Sequence, residues 1–346
     1  MTDATHPLVR DLSEEELLAR IFPLLPAADG TLLGPGDDAA VVAAPDARFV
    51  VTTDVLVEDR HFRRRWSTGY DVGFRAATAN LADVAAMGAR PTSLVVSLVV
   101  PGDLPVGWVT GLARGLADVA TPAGAGVVGG DLSGGDAVVV AVTAHGDLQG
   151  LAPVTRAGAR PGDVLAYAGN RGLSAAGLAL LDAGAADPAT GAPGRAGAAG
   201  AVGELAPCVA GYLRPEAPLA AGPRAAAAGA TAMLDVSDGL LRDAGRLARA
   251  GGVGVDLETA ALEDDVARLV PAARALGLND GADRSAALGW VLSGGEDHGL
   301  LAAFAPDVAL PEGFRRIGRV IDASEPGVTV DGDEPTTGAG WDHFAG

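Results

Sequence analysis

The chain has 346 residues, of which 49% are hydrophobic and 4% aromatic, and its formal net charge is -19. That length supports two domains with real cores, and the hydrophobic share excludes wholesale disorder. The acidity argues against a nucleic-acid binder, which needs a basic footprint; phosphate ligands stay open if metal ions mediate, because ions invert the local charge logic.

All 25 basic residues are Arg. Without Lys there is no P-loop lysine, no Schiff-base lysine and no Ser-Lys pair. The single cysteine, Cys208, cannot close an internal disulfide and lies in an apolar stretch, so it reads as a buried structural thiol in a reducing compartment. The N-terminus is acidic early and lacks a signal-type apolar run, and the run around 94–100 is far short of a membrane span. The expectation is a soluble cytoplasmic protein.

In chain order, Ser13 to Glu16 forms a capping box that starts a helix running to about Leu25, before Pro26. Gly34, Pro35 and Gly36 punctuate before Asp37-Asp38. A strand of Val50, Val51, Val55 and Val57 then encloses Thr52-Thr53-Asp54. The two acidic groups are expected at the ends of adjacent strands. Residues 60–70 read as a loop with Arg63-Arg64-Arg65 as the only basic cluster. Asp71 can cap a second helix that stops at Gly88, and on it Asn80 and Asp83 share a face. Strands follow at 94–100 and 137–144, with a helix from Pro105 between and a Gly129-Gly130-Asp131 turn that lets backbone N–H groups approach a phosphate. Residues 1–150 thus read as an α+β domain.

A boundary is expected within 146–159, opening a second domain over 151–346. It begins with a strand at 163–168. The Ala/Gly/Pro-rich segment 184–200 reads as a mobile loop. A strand at 231–236 leads through Ser237-Asp238 into a helix, and a strand at 252–257 follows. Two helices then precede closing strands at 299–304, 316–321 and 327–330. Ser293-Gly294-Gly295-Glu296-Asp297 is a glycine-then-acid turn that also fits a helix C-cap.

Six acids stand apart from the surface kind: Asp38, Asp54, Asp83, Asp131, Asp235 and Asp238. Asp54, Asp131 and Asp238 sit directly beside Gly, Ser or Thr, and Asp38, Asp83 and Asp235 lie in or next to apolar stretches. A carboxylate there costs stability unless a cation meets it, and the oxygen-rich setting suits Mg²⁺. The residues alone leave two readings open: a shared multi-ion site, or unrelated turn and capping acids.

The motifs GDDAAVV, TTDVLVEDRHF, NLADVAAMGARP, VVGGD, RAGARPGD, LDVSDGL, LSGGED and GWDHF occur together and in order. In that set the chain resembles the thiamine-monophosphate kinases, of the AIR-synthase-like superfamily of ATP users. The resemblance runs from Gly36 to Phe344. It implies a ferredoxin-like N-terminal domain pairing with a second subunit in a barrel-like homodimer, and a C-terminal α/β domain closing the active-site cleft. It implies a Mg²⁺ shell of Asp38, Thr52, Thr53, Asp54, Asp83, Asp131, Asp235 and Asp238, with Asp83, Asp131 and Asp238 central to catalysis. Gly130, Asp131, Arg156 and Ser237 are implied nucleotide contacts, and His61, Glu296 and Trp341 contacts to thiamine monophosphate. The chain departs from the family after GGED, where His298 and Gly299 replace an aromatic and an acid or amide.

The implied reaction is direct in-line transfer of the ATP γ-phosphoryl to thiamine monophosphate. The acceptor phosphate has a second pKa near ~6, so it is already a nucleophile at neutral pH. No strong base is needed, and positioning supplies most of the catalysis. The alternatives are a sibling AIR-synthase-like enzyme and a non-catalytic nucleotide or divalent-ion binding module.

Overall fold

The computed structural model describes residues 7–34, 39–192, 203–336, 338 and 340. They divide into two compact units, Met1–Val84 with Ala89–Gly150, and Ala85–Gly88 with Leu151–Gly346. Among the described residues no helix is long and apolar enough to cross a membrane.

The first unit opens with α1 (Glu14–Ile21), where Glu16 N–H donates to Ser13 Oγ at 3.2 Å and Ser13 N–H to Glu16 Oε2 at 2.8 Å. This is the reciprocal cap the sequence announces. A two-stranded sheet of β1 (Thr31–Leu33) and β2 (Val41–Val42) follows. The main sheet holds β3 (Val50–Val57), β4 (Arg90–Val100), β5 (Gly126–Gly134) and β6 (Val139–Asp147), in the order β3-β6-β4-β5. The helices α2 (Gly69–Ala86) and α3 (Val106–Ala123) connect its first three strands.

Three expectations change here. First, β2 pairs with β1, while β3 pairs with β6, so the strands on either side of 43–49 are not neighbours; Asp37 and Asp38 lie outside the described residues. Second, the helix crossover through α3 makes β4 and β5 parallel. The element order is therefore βαβαββ, not the βαββαβ order of a ferredoxin-like unit. Third, the cap of α2 is Thr68: its Oγ1 accepts from Asp71 N–H at 3.3 Å, and Thr68 N–H donates back to Asp71 Oδ2 at 2.8 Å.

Four glycines bring α2 and α3 into backbone contact. A Cβ on Gly69 or Gly73 would lie 1.9 or 2.0 Å from a carbonyl oxygen of Trp108 or Leu112. One on Gly115 would lie 2.1 Å from Tyr70 O, and one on Gly111 3.2 Å from Tyr70 N. On β3, Thr52 and Asp54 face α2, while Val51 and Val55 stay 55% and 46% exposed, with Phe49 just before the strand 59% exposed.

The second unit is built on a six-stranded mixed sheet, ordered β12-β9-β11-β7-β10-β8. Its elements are β7 (Val164–Ala168), α4 (Leu173–Asp182), α5 (Ala206–Leu213), α6 (Ala221–Ala227), β8 (Ala232–Val236), α7 (Leu240–Gly251), β9 (Gly254–Leu257), α8 (Glu263–Ala275), α9 (Ala282–Ser293), β10 (Gly299–Phe304), β11 (Phe314–Ile321) and β12 (Gly327–Val330). Every residue of β8, β9 and β10 is buried, as expected of strands with both faces covered. Of the expected 184–200 loop, 193–200 lie outside the described residues, and α4 already ends at Asp182.

Candidate active site

In the first unit the site grows from the seam between β3 and α2. Alternate residues of a strand share a face, and residues three apart share a helix face, so Thr52 and Asp54 meet Asn80 and Asp83. Thr52 Oγ1 donates to Asp83 Oδ2 at 2.7 Å. Asp54 N–H donates to Asn80 Oδ1 at 3.0 Å, and Asn80 Nδ2 donates to Ala76 O at 2.9 Å. Asn80 is a site-building residue that the sequence placed only as a neighbour of Asp83. The intervening Thr53 differs from expectation. Its hydroxyl donates to Val142 O at 2.9 Å and accepts from Thr143 Oγ1 at 3.2 Å, so it braces β6 on the other face of the strand.

His61 closes the loop after β3. Its Nδ1 accepts from Val57 N–H at 3.0 Å, which leaves the ring proton on Nε2, and Arg75 donates to its carbonyl at 2.9 Å. Gly130 and Asp131 lie within β5 and not in a turn. Gly130 is needed there because a Cβ would lie 1.9 Å from Val96 O. With Gly129 they border a cavity of about 830 Å³ whose apolar wall includes Ala40, Val96, Leu112 and Leu116. Asp38 lies outside the described residues.

In the second unit β8 delivers Asp235, buried at its end, and then Ser237 and Asp238. Asp238 is already engaged. Arg246 Nη2 donates to its Oδ2 at 2.5 Å, and Arg242 Nε lies 3.9 Å away. The same Arg246 donates from Nη1 to Asp243 Oδ1 at 2.5 Å, and Asp243 Oδ2 accepts from Asp238 N–H at 2.9 Å. Burial pushes the Asp243 carboxyl up to about 6, against the pull of that N–H and of Arg246. The helical spacings 238/242 and 243/246 were visible in the sequence, but only the fold closes them into one network.

The Gly294–His298 turn docks on the same strand end. Glu296 N–H donates to Ser237 O at 2.7 Å and His298 N–H to Val236 O at 3.2 Å. The His298 Nδ1 lies 3.6 Å from Asp235 Oδ2. Asp297 is buried, and burial pushes its carboxyl up to about 6, although two backbone N–H groups pull it down. Arg156 opens a short 3-10 turn, Arg156–Gly158, tied to β8 by Met233 N–H donating to Thr155 O at 3.2 Å. The C-terminal segment also arrives here: Ser293 Oγ donates to Gly338 O, and a Cβ on Gly340 would lie 2.2 Å from Asp238 O. Trp341 lies outside the described residues.

Among the described residues no group of three or more His, Cys, Asp or Glu stands close enough to cage a metal ion. The donors at the β3–α2 seam are oxygens only, carboxylate and hydroxyl. That set suits Mg²⁺ held by one or two carboxylates together with substrate phosphates, the usual manner of this ion.

The fold and the residues described in each unit define a class. Residues 36–148 match the model of the AIR synthase related protein, N-terminal domain. The chain is 46% identical over 338 residues to a thiamine-monophosphate kinase of Mycobacterium tuberculosis, covering 98% of this chain and 93% of that one. The crystal structure of the Stenotrophomonas maltophilia thiamine-monophosphate kinase is 30% identical with a TM-score of 0.73, covering 93% of this chain and 96% of its own. AaThiL complexed with AMPPCP and TMP is 29% identical with a TM-score of 0.70, over 89% of this chain and 91% of that one. The chain belongs to the thiamine-monophosphate kinase family.

Proposed function

We infer that this chain is an ATP-dependent kinase that converts thiamine monophosphate to thiamine diphosphate. The observation that carries the reading is the near-full-length match to thiamine-monophosphate kinases, 46% identical over 98% of the chain. A related structure holding both an ATP analogue and TMP supports it.

The first unit carries the nucleotide contacts. The cavity beside Gly130 and Asp131 has the size and apolar wall of a small-molecule site. The second unit supplies Arg156 and Ser237 toward the nucleotide, and Glu296, with Trp341 of the tail and His61 of the first unit, toward the acceptor. Asp54, Asp83 and Asp131 of the first unit and Asp235 of the second would hold Mg²⁺, with Asp38 as a further ligand. Asp238 would join them by sharing its charge with Arg246. When bound, Mg²⁺ neutralises phosphate charge and orients the phosphate oxygens. The Thr52 hydroxyl keeps the Asp83 carboxylate aimed, and Asn80 does the same for the backbone of Asp54. The dianionic acceptor phosphate attacks in line, and no protein base is required.

The exposed apolar residues of β3 support a homodimer built on that sheet. A buried, proton-retaining Cys208 fits a cytoplasmic protein, its thiol pushed up to about 11 by burial. One coupled assay tests the function: ADP release with thiamine monophosphate against thiamine, with and without a chelator. ADP and thiamine diphosphate should form only with the monophosphate and only before chelation. ADP release with thiamine alone would refute the reading.

A further inference from the structure

The Gly294–His298 turn contains a residue that no motif assigned a role. Glu296 and His298 both hold left-handed backbone, with φ of 68° and 52°. Residues other than glycine keep that conformation only where their surroundings impose it. Asp297 lies between them and is 4% exposed. Its carboxylate reaches the start of α4: Gly172 N–H donates to Oδ2 at 2.6 Å and Ser174 N–H to Oδ1 at 3.0 Å.

That helix start is itself anchored. Tyr167 Oη donates to Asn170 O at 2.8 Å. Arg171 lies 4.4 Å over the Tyr167 ring and donates from Nε to Asp265 Oδ2 at 3.0 Å. On its other side the turn is held by the end of β8, through Glu296 N–H to Ser237 O and His298 N–H to Val236 O. Gly295 fits only as glycine, since a Cβ would lie 2.5 Å from Ser237 O. The turn therefore hangs between two fixed supports, and one buried carboxylate makes the link to the helix.

We propose that Asp297 is a positioning residue that locks this turn in its left-handed form and so sets where Glu296 stands against the acceptor; the assignment rests on the function inferred above. A helix cap alone would hold α4 and leave substrate discrimination untouched. A positioning role ties the carboxylate to the acceptor and not to the nucleotide.

Asp297→Asn keeps the shape but sets an amide N–H against one of the two donors. It should raise the KM for thiamine monophosphate about tenfold while the KM for ATP moves by less than about twofold. Amide exchange at Glu296 and His298 should quicken while Leu234 in β8 keeps its protection. Adding His298→Gly should restore part of the acceptor KM, because glycine takes positive φ without strain. If Asp297→Asn does not fold, Asp297→Ser, which retains one acceptor, carries the same measurements. Equal changes in both KM values, or unchanged exchange at 296 and 298 in a folded variant, overturn the proposal. An unmodified protein that releases no ADP with thiamine monophosphate refutes the functional reading instead, and the exchange arm still judges the positioning on its own.

Discussion

Asp83 and Asp238 have similar sequence surroundings, each beside an apolar element and small neighbours, yet their carboxylates meet different company. Asp83 accepts from the neutral Thr52 hydroxyl at 2.7 Å. Asp238 accepts from Arg246 at 2.5 Å, with Arg242 near and the buried Asp243 on the same guanidinium. A hydroxyl orients a carboxylate without adding charge, whereas a guanidinium competes with any second cation for it. The network of the second unit thus builds a guanidinium against its carboxylate, and the seam of the first sets a hydroxyl against Asp83.

The largest effect should come from the seam. Asp83→Asn should lower kcat/KM for thiamine monophosphate by about 10³-fold with little change in melting temperature, because the swap keeps the shape and removes charge from the proposed ion shell. Steady-state kinetics beside a thermal melt reads both. In the second unit the balance should reverse. Arg246→Met strands the buried Asp243, and urea unfolding should show a loss of about 2–4 kcal/mol. A loss of activity without a loss of stability would mean that Arg246 serves the reaction and not the scaffold.

A third measurement uses pH. The folded Asp297 carboxyl titrates at about 6, above its ordinary 3.8. A raised folded pKa means that its stabilising contribution is complete below the unfolded value, falls as pH rises, and is gone above the folded value. Relative to Asp297→Asn, the parent protein should therefore lose about 1–3 kcal/mol between pH 4 and pH 7. A flat difference across that window would show that the two backbone N–H groups fully offset the burial. The smallest effect separates neighbouring hydroxyls. Thr52→Val should cost about tenfold in turnover and Thr53→Val less than about threefold, since only the first touches Asp83.

Much of the scaffold could be read from residue order. The cap at Ser13, the strand around Thr52 to Asp54, the shared face of Asn80 and Asp83, and the last three strands all follow from local pattern. The misses have physical reasons. The helix α4, LSAAGLALLD, is apolar or small on nearly every side and gives no amphipathic period to detect. Strand order depends on partners far apart in the chain, so pairing β3 with β6 and setting β4 parallel to β5 left no local mark. The motifs located the acids, but not which of them an arginine would meet, because Arg246 reaches Asp238 only across the first turns of α7.

The pairing of β3 with β6 also sets a clock for synthesis. Its nearest partners, Val57 and Val139, are separated by 82 positions. At ribosomal speeds of about 5–20 residues per second, β3 waits on the order of 4–16 s before β6, its main-sheet neighbour among the described residues, exists. Through that interval Val51 and Val55 ride on a strand with no partner, in a chain that must close a long loop before the pairing yields anything. Recombinant yield should accordingly depend on translation rate, with insoluble material accumulating when many nascent chains wait together.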